Sequence, residues 1–270
     1  MTIEVKKLTA TLGAELSDVD IAHLDDAELT ELRALWVEHK VLVLRDQHIS
    51  TAEHVAFGRR FGELEIHPFA PDTDKHPEIV AIHSNAESTY AASSWHSDVT
   101  WRAIPSMGSI LRAKIVPPVG GDTCFSDACA AYDRLSDSWK ERIDKLFAVH
   151  DFTMTFGVHM KPEERAEQQK KFPPARHPVV RTHPESGRKA IYTNRTFTSY
   201  IEGVSKEESE EILDRLERAI INPSVQCRIR WQVNTIVMWD NRSTQHHATD
   251  DFFPNERRVE RVTVVGDRPF

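Results

Sequence analysis

The hexapeptide Trp95-His96-Ser97-Asp98-Val99-Thr100 constrains this chain more than any other stretch. Side chains two apart share one face of an extended strand, so the spacing predicts that the His96 imidazole and the Asp98 carboxylate point the same way. A nitrogen and a hard oxygen so placed are two of the three ligands of a 2-His-1-carboxylate Fe(II) site. The third ligand must then come from far along the chain, on a neighbouring strand. The best candidate is His246, in Asp240-Asn241-Arg242-Ser243-Thr244-Gln245-His246-His247. Arg257 and Arg261 follow four apart, where an anionic cosubstrate could be held. A His-x-Asp pair alone is a weak signal, because a chain with 14 histidines produces one by chance. Its bland alternative is a solvated or structural pair. The apolar flank of Trp95, Val99 and Trp101, the distal histidine and the Arg-rich closing strand favour the metal.

The chain has 270 residues, 40% of them hydrophobic, which is ample for one globular domain with a sizeable core. We read residues 1–270 as that single domain. The formal net charge of −8, with no basic block, argues against a nucleic-acid partner. Three cysteines, Cys124, Cys129 and Cys227, make an odd set without a CxxC pair, so neither a disulfide framework nor a cysteine metal site is expected. No apolar signal core opens the chain, and no run approaches the ~20 apolar residues that span a bilayer. These features predict a cytoplasmic protein with no membrane partner, and make the Asn194 and Asn241 sequons chance matches.

Periodicity predicts helices over 25–39, from Ser50 or Thr51 to about 61, and over 205–221, the last opened by a Ser205/Glu208 capping box. One or two helices are expected within 127–147. The charged run 161–171 reads as a solvated helix, inside an insertion spanning 157–175. Strands are expected around Gly13, at 41–44, 79–83, 109–116, 227–231, 235–239 and 258–265. Residues 177–183 and 189–192 flank a turn as a β-hairpin, with His177 and His183 in structural roles. The polar run 84–94 reads as a loop that acts as a lid over the metal. Pro117-Pro118-Val119-Gly120-Gly121 is a strong turn signal, and Thr123 after it reads as a strand start. Many short strands with interspersed helices indicate an α+β fold.

The ordered set His96-Ser97-Asp98-Val99-Thr100, Gly120-Gly121-Asp122-Thr123, Trp239 to His246, Arg257 with Arg261, and Val265 to Phe270 resembles the taurine/2,4-dichlorophenoxyacetate dioxygenase family. The resemblance runs from Gly13-Ala14-Glu15 to the C-terminus. It implies a double-stranded β-helix, or jelly-roll, core with flanking helices. It implies an enzyme that uses Fe(II), 2-oxoglutarate and O2 to hydroxylate a small anionic substrate such as a sulfonate, alkyl sulfate, carboxylate or aryloxy acid, with succinate and CO2 as coproducts. Metal ligation and catalysis would then fall to His96, Asp98 and His246. Family register selects His246 over His247, whose side chain points to the opposite strand face. Thr123 and Arg257 would bind the C5 carboxylate of 2-oxoglutarate. Arg261 would sit near its C1 carboxylate and the substrate anion, His67 would reach that anion, and Val99 would line the substrate pocket.

Asp98 also separates this chain from related halogenases, which replace the carboxylate with a small residue. Ala70 stands where the taurine enzyme has a tyrosine, and Ala92 and Ser93 where it has an asparagine, which points away from taurine itself. Family members often form dimers or tetramers, so a homo-oligomer is expected. Two other classes stay open on the residues alone: a non-catalytic jelly-roll that binds metal or an anion, and a Zn-dependent hydrolase.

Overall fold

The computed structural model describes residues 3–70, 75–88 and 92–270. Its strands in chain order are β1 (Glu4–Lys7), β2 (Ala14–Ser17), β3 (Val41–Leu44), β4 (Val80–Ser84), β5 (Ser106–Ile115), β6 (Thr123–Asp127), β7 (Phe147–His150), β8 (Ala175–Pro178), β9 (Val180–Thr182), β10 (Lys189–Ile191), β11 (Thr198–Ile201), β12 (Gln226–Ile229), β13 (Ile236–Asp240), β14 (Thr244–Ala248) and β15 (Arg257–Val265). The α-helices are α1 (Asp26–His39), α2 (Thr51–Arg59), α3 (Ala128–Asp133), α4 (Asp137–Ile143), α5 (Pro162–Lys171) and α6 (Lys206–Ile220).

Seven strands pair in the order β1-β2-β3-β13-β5-β15-β4, and three more in the order β12-β6-β14. Period-two alternation decides what each face of the large sheet buries. Leu42, Leu44, Ile236, Met238, Val262 and Val264 point outward and are covered by Trp36, Val55 and Phe57 of α1 and α2. Val41, Val43, Leu111, Ala113, Val237, Trp239 and Val259 point inward. They meet Phe125, Cys227 and Ile229 of the small sheet in a separate core. All four residues of β3 are buried because both faces are covered, which is why this strand reads as an unbroken apolar run. A third core packs α3, α4 and α6 against the short strands through Ile143, Ile212, Leu213, Leu216 and Ile220.

Helices α1 and α2 begin where capping chemistry says they should. Asp25 and Glu28 form a capping box on α1, and Ser50 and Glu53 form one on α2. The expected box on α6 is only half present. Ser205 accepts from the Glu208 N–H, but the Glu208 carboxylate turns to Arg142 at 2.8 Å instead of to the Ser205 backbone. A guanidinium is a stronger partner for a carboxylate than a neutral N–H, so the ion pair wins. The 157–175 segment holds α5, which buries none of its residues, as a solvated helix should. Of the loop 84–94, residues 89–91 lie outside the described residues. No described helix is long and apolar enough to cross a membrane.

Two histidines away from the inner cavity are buried neutral. His54 of α2 donates to the Ile110 carbonyl at 3.1 Å, and His177 of β8 donates to the Thr100 and Arg102 carbonyls at 2.8 and 2.9 Å. Burial outweighs those hydrogen bonds and pushes each imidazole down to about 4. The unfolded chain takes up these protons below the ordinary value of 6.5, while the folded chain does not until about pH 4. Stability is therefore full above pH 6.5 and is lost as pH falls toward 4. Urea denaturation at pH 7.5 and pH 5 should show a loss on the order of 1–2 kcal/mol for each histidine, and His54→Gln should flatten the profile by one such increment.

Candidate active site

The distant histidines meet through their backbones. His96 N–H donates to His246 O at 3.1 Å, and His246 N–H donates to His96 O at 2.8 Å. This two-way antiparallel bridge sets the imidazole centroids 4.2 Å apart. His246 lies on β14 opposite Phe125 of β6, so His246 and Ala248 face inward while His247 turns away against Trp95. The expected extended strand from His96 to Asp98 is not what forms. Only His96 makes a ladder contact, and the chain then turns over Asp98–Trp101 with Val99 at φ +48°. The turn still delivers the Asp98 carboxylate beside His96, with Oδ1 3.9 Å from His96 Nε2. Ligand atoms of His96, Asp98 and His246 all lie within 4.8 Å of one another, and all three residues are buried.

The protonation states suit a divalent cation. His96 Nδ1 donates to the Ser94 carbonyl at 2.7 Å, which leaves the Nε2 lone pair directed at the trio. Burial, outweighing Asp98 and the Ser94 bond, lowers the His96 imidazole. Burial, followed by the proximity of the His96 imidazole, where a second positive charge would be repelled, pushes His246 down to about 3. Burial alone would raise the Asp98 carboxyl, but Arg261, His246 and His96 outweigh it and hold it well below the usual carboxylate range. Two neutral imidazoles and one carboxylate form the donor set that Fe(II) accepts, and His246 Nδ1 is buried without a hydrogen-bond partner. The residues present fit such an ion.

An anion cradle adjoins the trio. Arg257 is 7% exposed, and among the described residues no carboxylate pairs with it. Its Nε donates to the Gly121 carbonyl at 3.1 Å, and its guanidinium lies 5.8 Å from the Trp231 ring centroid. Burial lowers it to about 10, so it stays cationic at neutral pH. Gly120 and Gly121 turn at φ +78° and +70°, and a Cβ on Gly120 would meet the Asp251 carbonyl at 2.7 Å. The double glycine is thus what lets the turn carry its carbonyl to Arg257. Thr123 opens β6 beyond the turn and faces the same cavity, its hydroxyl accepting from Trp231 Nε1 at 3.0 Å. Arg261 shares the inward parity of Arg257 and donates from Nη1 to Asp98 Oδ1 at 2.6 Å. Glu260 faces the opposite way, toward Arg112, Lys114 and Thr51.

His67 adds a neutral donor at the same end of the cavity. Its Nδ1 accepts the Phe69 N–H at 3.2 Å, so the proton sits on Nε2, a donor with no partner among the described residues. Burial, then Arg261 and Arg102, push this imidazole down to about 4, which makes it a neutral donor at physiological pH. Val99 lines the same cavity of about 580 Å³, as do Ala70 and Ala92. Trp95 and Trp101 do not: Trp101 packs behind it against Phe152, and Trp95 against the third core.

Three wall residues carried no sequence signal. Phe69, Phe156 and Phe197 line the cavity, with Phe156 stacked on Phe197 and Phe197 edge-on to His96 at 6.2 Å. Phe69 and Phe197 come from turns and Phe156 opens a single 3-10 turn, Phe156–His159, all too short for periodicity to mark. Ser109, inside a strand, also contacts Asp98 and carried no signal, while Asn241 stands in the Asp240–His247 run without its contact to Asp98 being legible there. His177 and His183 serve structure: the first holds the turn after Asp98, and the second bonds Asp240 Oδ2 at 2.9 Å. All three cysteines are free.

A family model described as taurine catabolism dioxygenase TauD, TfdA family matches residues 4–263. The chain is 34% identical to an alkylsulfatase of Acinetobacter baylyi, over 98% of this chain and 86% of that one. It is 31% identical to a (S)-phenoxypropionate/alpha-ketoglutarate-dioxygenase of Sphingobium herbicidovorans, over 98% of this chain and 95% of that one. A crystal structure of a taurine dioxygenase from Burkholderia xenovorans superposes with a TM-score of 0.85 at 35% identity, covering 100% of this chain and 91% of that one. This chain belongs to the TauD/TfdA family of dioxygenases.

Proposed function

We propose that this protein is an Fe(II)- and 2-oxoglutarate-dependent dioxygenase that hydroxylates a small organic anion with an apolar body, a sulfonate, alkyl sulfate or aryloxy acid. The observation that carries this reading is the convergence of His96, Asp98 and His246 within 4.8 Å, beside a buried arginine that has no carboxylate partner among the described residues. The fold reading goes with it: the facing seven- and three-stranded sheets are the two walls of a double-stranded β-helix, and the cavity opens at one end of their shared core.

His96, Asp98 and His246 would hold the iron on one face and leave the other face for cosubstrate and oxygen. When bound, the iron would let O2 act as the oxidant on an unactivated C–H bond, with two electrons drawn from 2-oxoglutarate, which leaves as succinate and CO2, and two from the substrate, which gains the hydroxyl. The remaining work belongs to the protein. Arg257 fixes the far carboxylate of 2-oxoglutarate through its planar fork, and Thr123 adds a hydroxyl donor. Arg261 and the Nε2–H of His67 orient the substrate anion, and because His67 is neutral it donates without adding charge. Phe69, Phe156 and Phe197 desolvate the substrate body and exclude bulk water from the reacting carbon. Ala70 and Ala92 leave room for that body, and 580 Å³ lies within the ~300–1,000 Å³ of ordinary small-molecule sites.

Anaerobic addition of Fe(II) and 2-oxoglutarate should produce a weak visible charge-transfer band, and His96→Ala should abolish it; folded, iron-loaded wild-type protein without the band would overturn the reading. Arg257→Ala removes the cation for a buried carboxylate, a loss of about 2–4 kcal/mol. That should raise the KM for 2-oxoglutarate by roughly 30- to 1,000-fold in succinate-release assays. Ala70→Phe fills the apolar room. It should lower kcat/KM for hexyl sulfate by roughly tenfold or more relative to ethyl sulfate, and equal losses on both would remove Ala70 from substrate selection.

A further inference from the structure

Asp98 is restrained at more points than a surface carboxylate needs. Its N–H donates to Asn241 Oδ1 at 2.6 Å, and its carbonyl accepts from Asn241 Nδ2 at 2.9 Å. The same Nδ2 reaches the Ser106 carbonyl at 3.1 Å, and Asn241 is 0% exposed. One carboxamide therefore grips both polar atoms of the Asp98 main chain and ties them to the start of β5. The next residue, Val99, is β-branched and sits at φ +48°, a conformation such residues rarely adopt unless their surroundings enforce it. On the carboxylate itself, the Ser109 hydroxyl donates to Oδ2 at 2.8 Å from a fully buried position on β5. Oδ1 is left facing His96 Nε2 and Arg261.

We propose that Ser109 and Asn241 are positioning residues that make Asp98 a one-oxygen ligand of fixed orientation. This rests on reading His96, Asp98 and His246 as the metal ligands. The terminal torsion of an aspartate is broad and soft, so an unrestrained carboxylate can offer either oxygen or both. With one oxygen the trio fills three coordination positions. With two it fills four, and removes a position that a chelating cosubstrate and oxygen together require. Ser109 prevents this by occupying Oδ2, and Asn241 prevents the peptide from rolling to bring Oδ2 round. Both act on the metal through Asp98 and touch neither cosubstrate nor substrate, so their effect should appear first in metal binding.

The test is Mn(II) binding, measured from the EPR signal of free Mn(II) without 2-oxoglutarate. Ser109→Ala and Asn241→Asp should each weaken Mn(II) binding by about 10- to 100-fold. Ser109→Thr, which restores a hydroxyl, should return it to within a few-fold of wild type. Circular dichroism melting of the metal-free proteins separates this from damage to the fold, since a stabilising role alone would lower the melting temperature and leave Mn(II) affinity intact. Wild-type affinity in both Ser109→Ala and Asn241→Asp, with none in His96→Ala, overturns the positioning role and leaves the metal site standing. Wild-type affinity in His96→Ala overturns the metal assignment and this proposal with it.

Discussion

Two backbone hydrogen bonds between His96 and His246 hold this site together. They join segments 150 residues apart and, because opposed residues of a hydrogen-bonded antiparallel pair project their side chains to the same side, they also aim both imidazoles. Nothing in the side chains would achieve this alone, since two imidazoles gain little from lying 4.2 Å apart without an ion between them. The bridge is affordable because β14 is already locked to β6 through five paired residues, from Thr244–Asp127 to Ala248–Thr123. The small sheet therefore carries His246 and Thr123 as one rigid piece. The large sheet carries Ser109, Arg257 and Arg261 as another, and the turn at Asp98 is pinned between them.

Burial does the electrostatic work around that frame. It keeps His96, His246 and His67 neutral at physiological pH, so each offers a lone pair or a donor without repelling a cation nearby. The same low-polarity surroundings strengthen the pairing of Asp98 with Arg261 and leave Arg257 the stronger attractor for an incoming anion. Arg102 is already matched to Glu65 at 2.6 Å and is not free to compete. An acidic chain thus encloses a locally cationic cavity, which a dianion can enter despite the net charge of −8.

Much of this was legible in the sequence, for definite reasons. The parity of Arg257 and Arg261 survives because β15 keeps its alternation across its own length, and the spacing of Leu32 and Trp36 marks the buried side of α1. The double glycine announced a turn that only left-handed backbone can make. What misled was local geometry set by tertiary contacts. His96 to Asp98 reads as a strand by alternation, yet the carboxamide of Asn241, 143 positions away, holds Asp98 in a turn instead. Glu208 reads as half of a capping box until Arg142, on another helix, takes its carboxylate. The aromatic wall was invisible because Phe69, Phe156 and Phe197, from two turns and a 3-10 turn far apart in sequence, come together only in the folded chain.

Charge balance narrows what the cavity can accept. With a divalent ion bound, the two guanidiniums of Arg257 and Arg261 and the one carboxylate of Asp98 would leave three positive charges among the described residues, since the histidines are neutral and Arg102 with Glu65 cancel. The 2-oxoglutarate dianion takes two of them. One remains, centred on Arg261, whose partner Asp98 is then shared with the ion. An unmatched charge in a cavity this buried is costly, and a monoanionic substrate head group removes that cost while a zwitterion or a neutral alcohol does not. Among the described residues, the rest of the cavity is lined by Phe69, Phe156, Phe197, Ala70 and Ala92 with the hydroxyls of Ser93, Ser94, Thr155 and Thr196, none of which offers a carboxylate to an amino group. A single negative charge joined to an apolar body is therefore the ligand that satisfies both ends of the cavity at once.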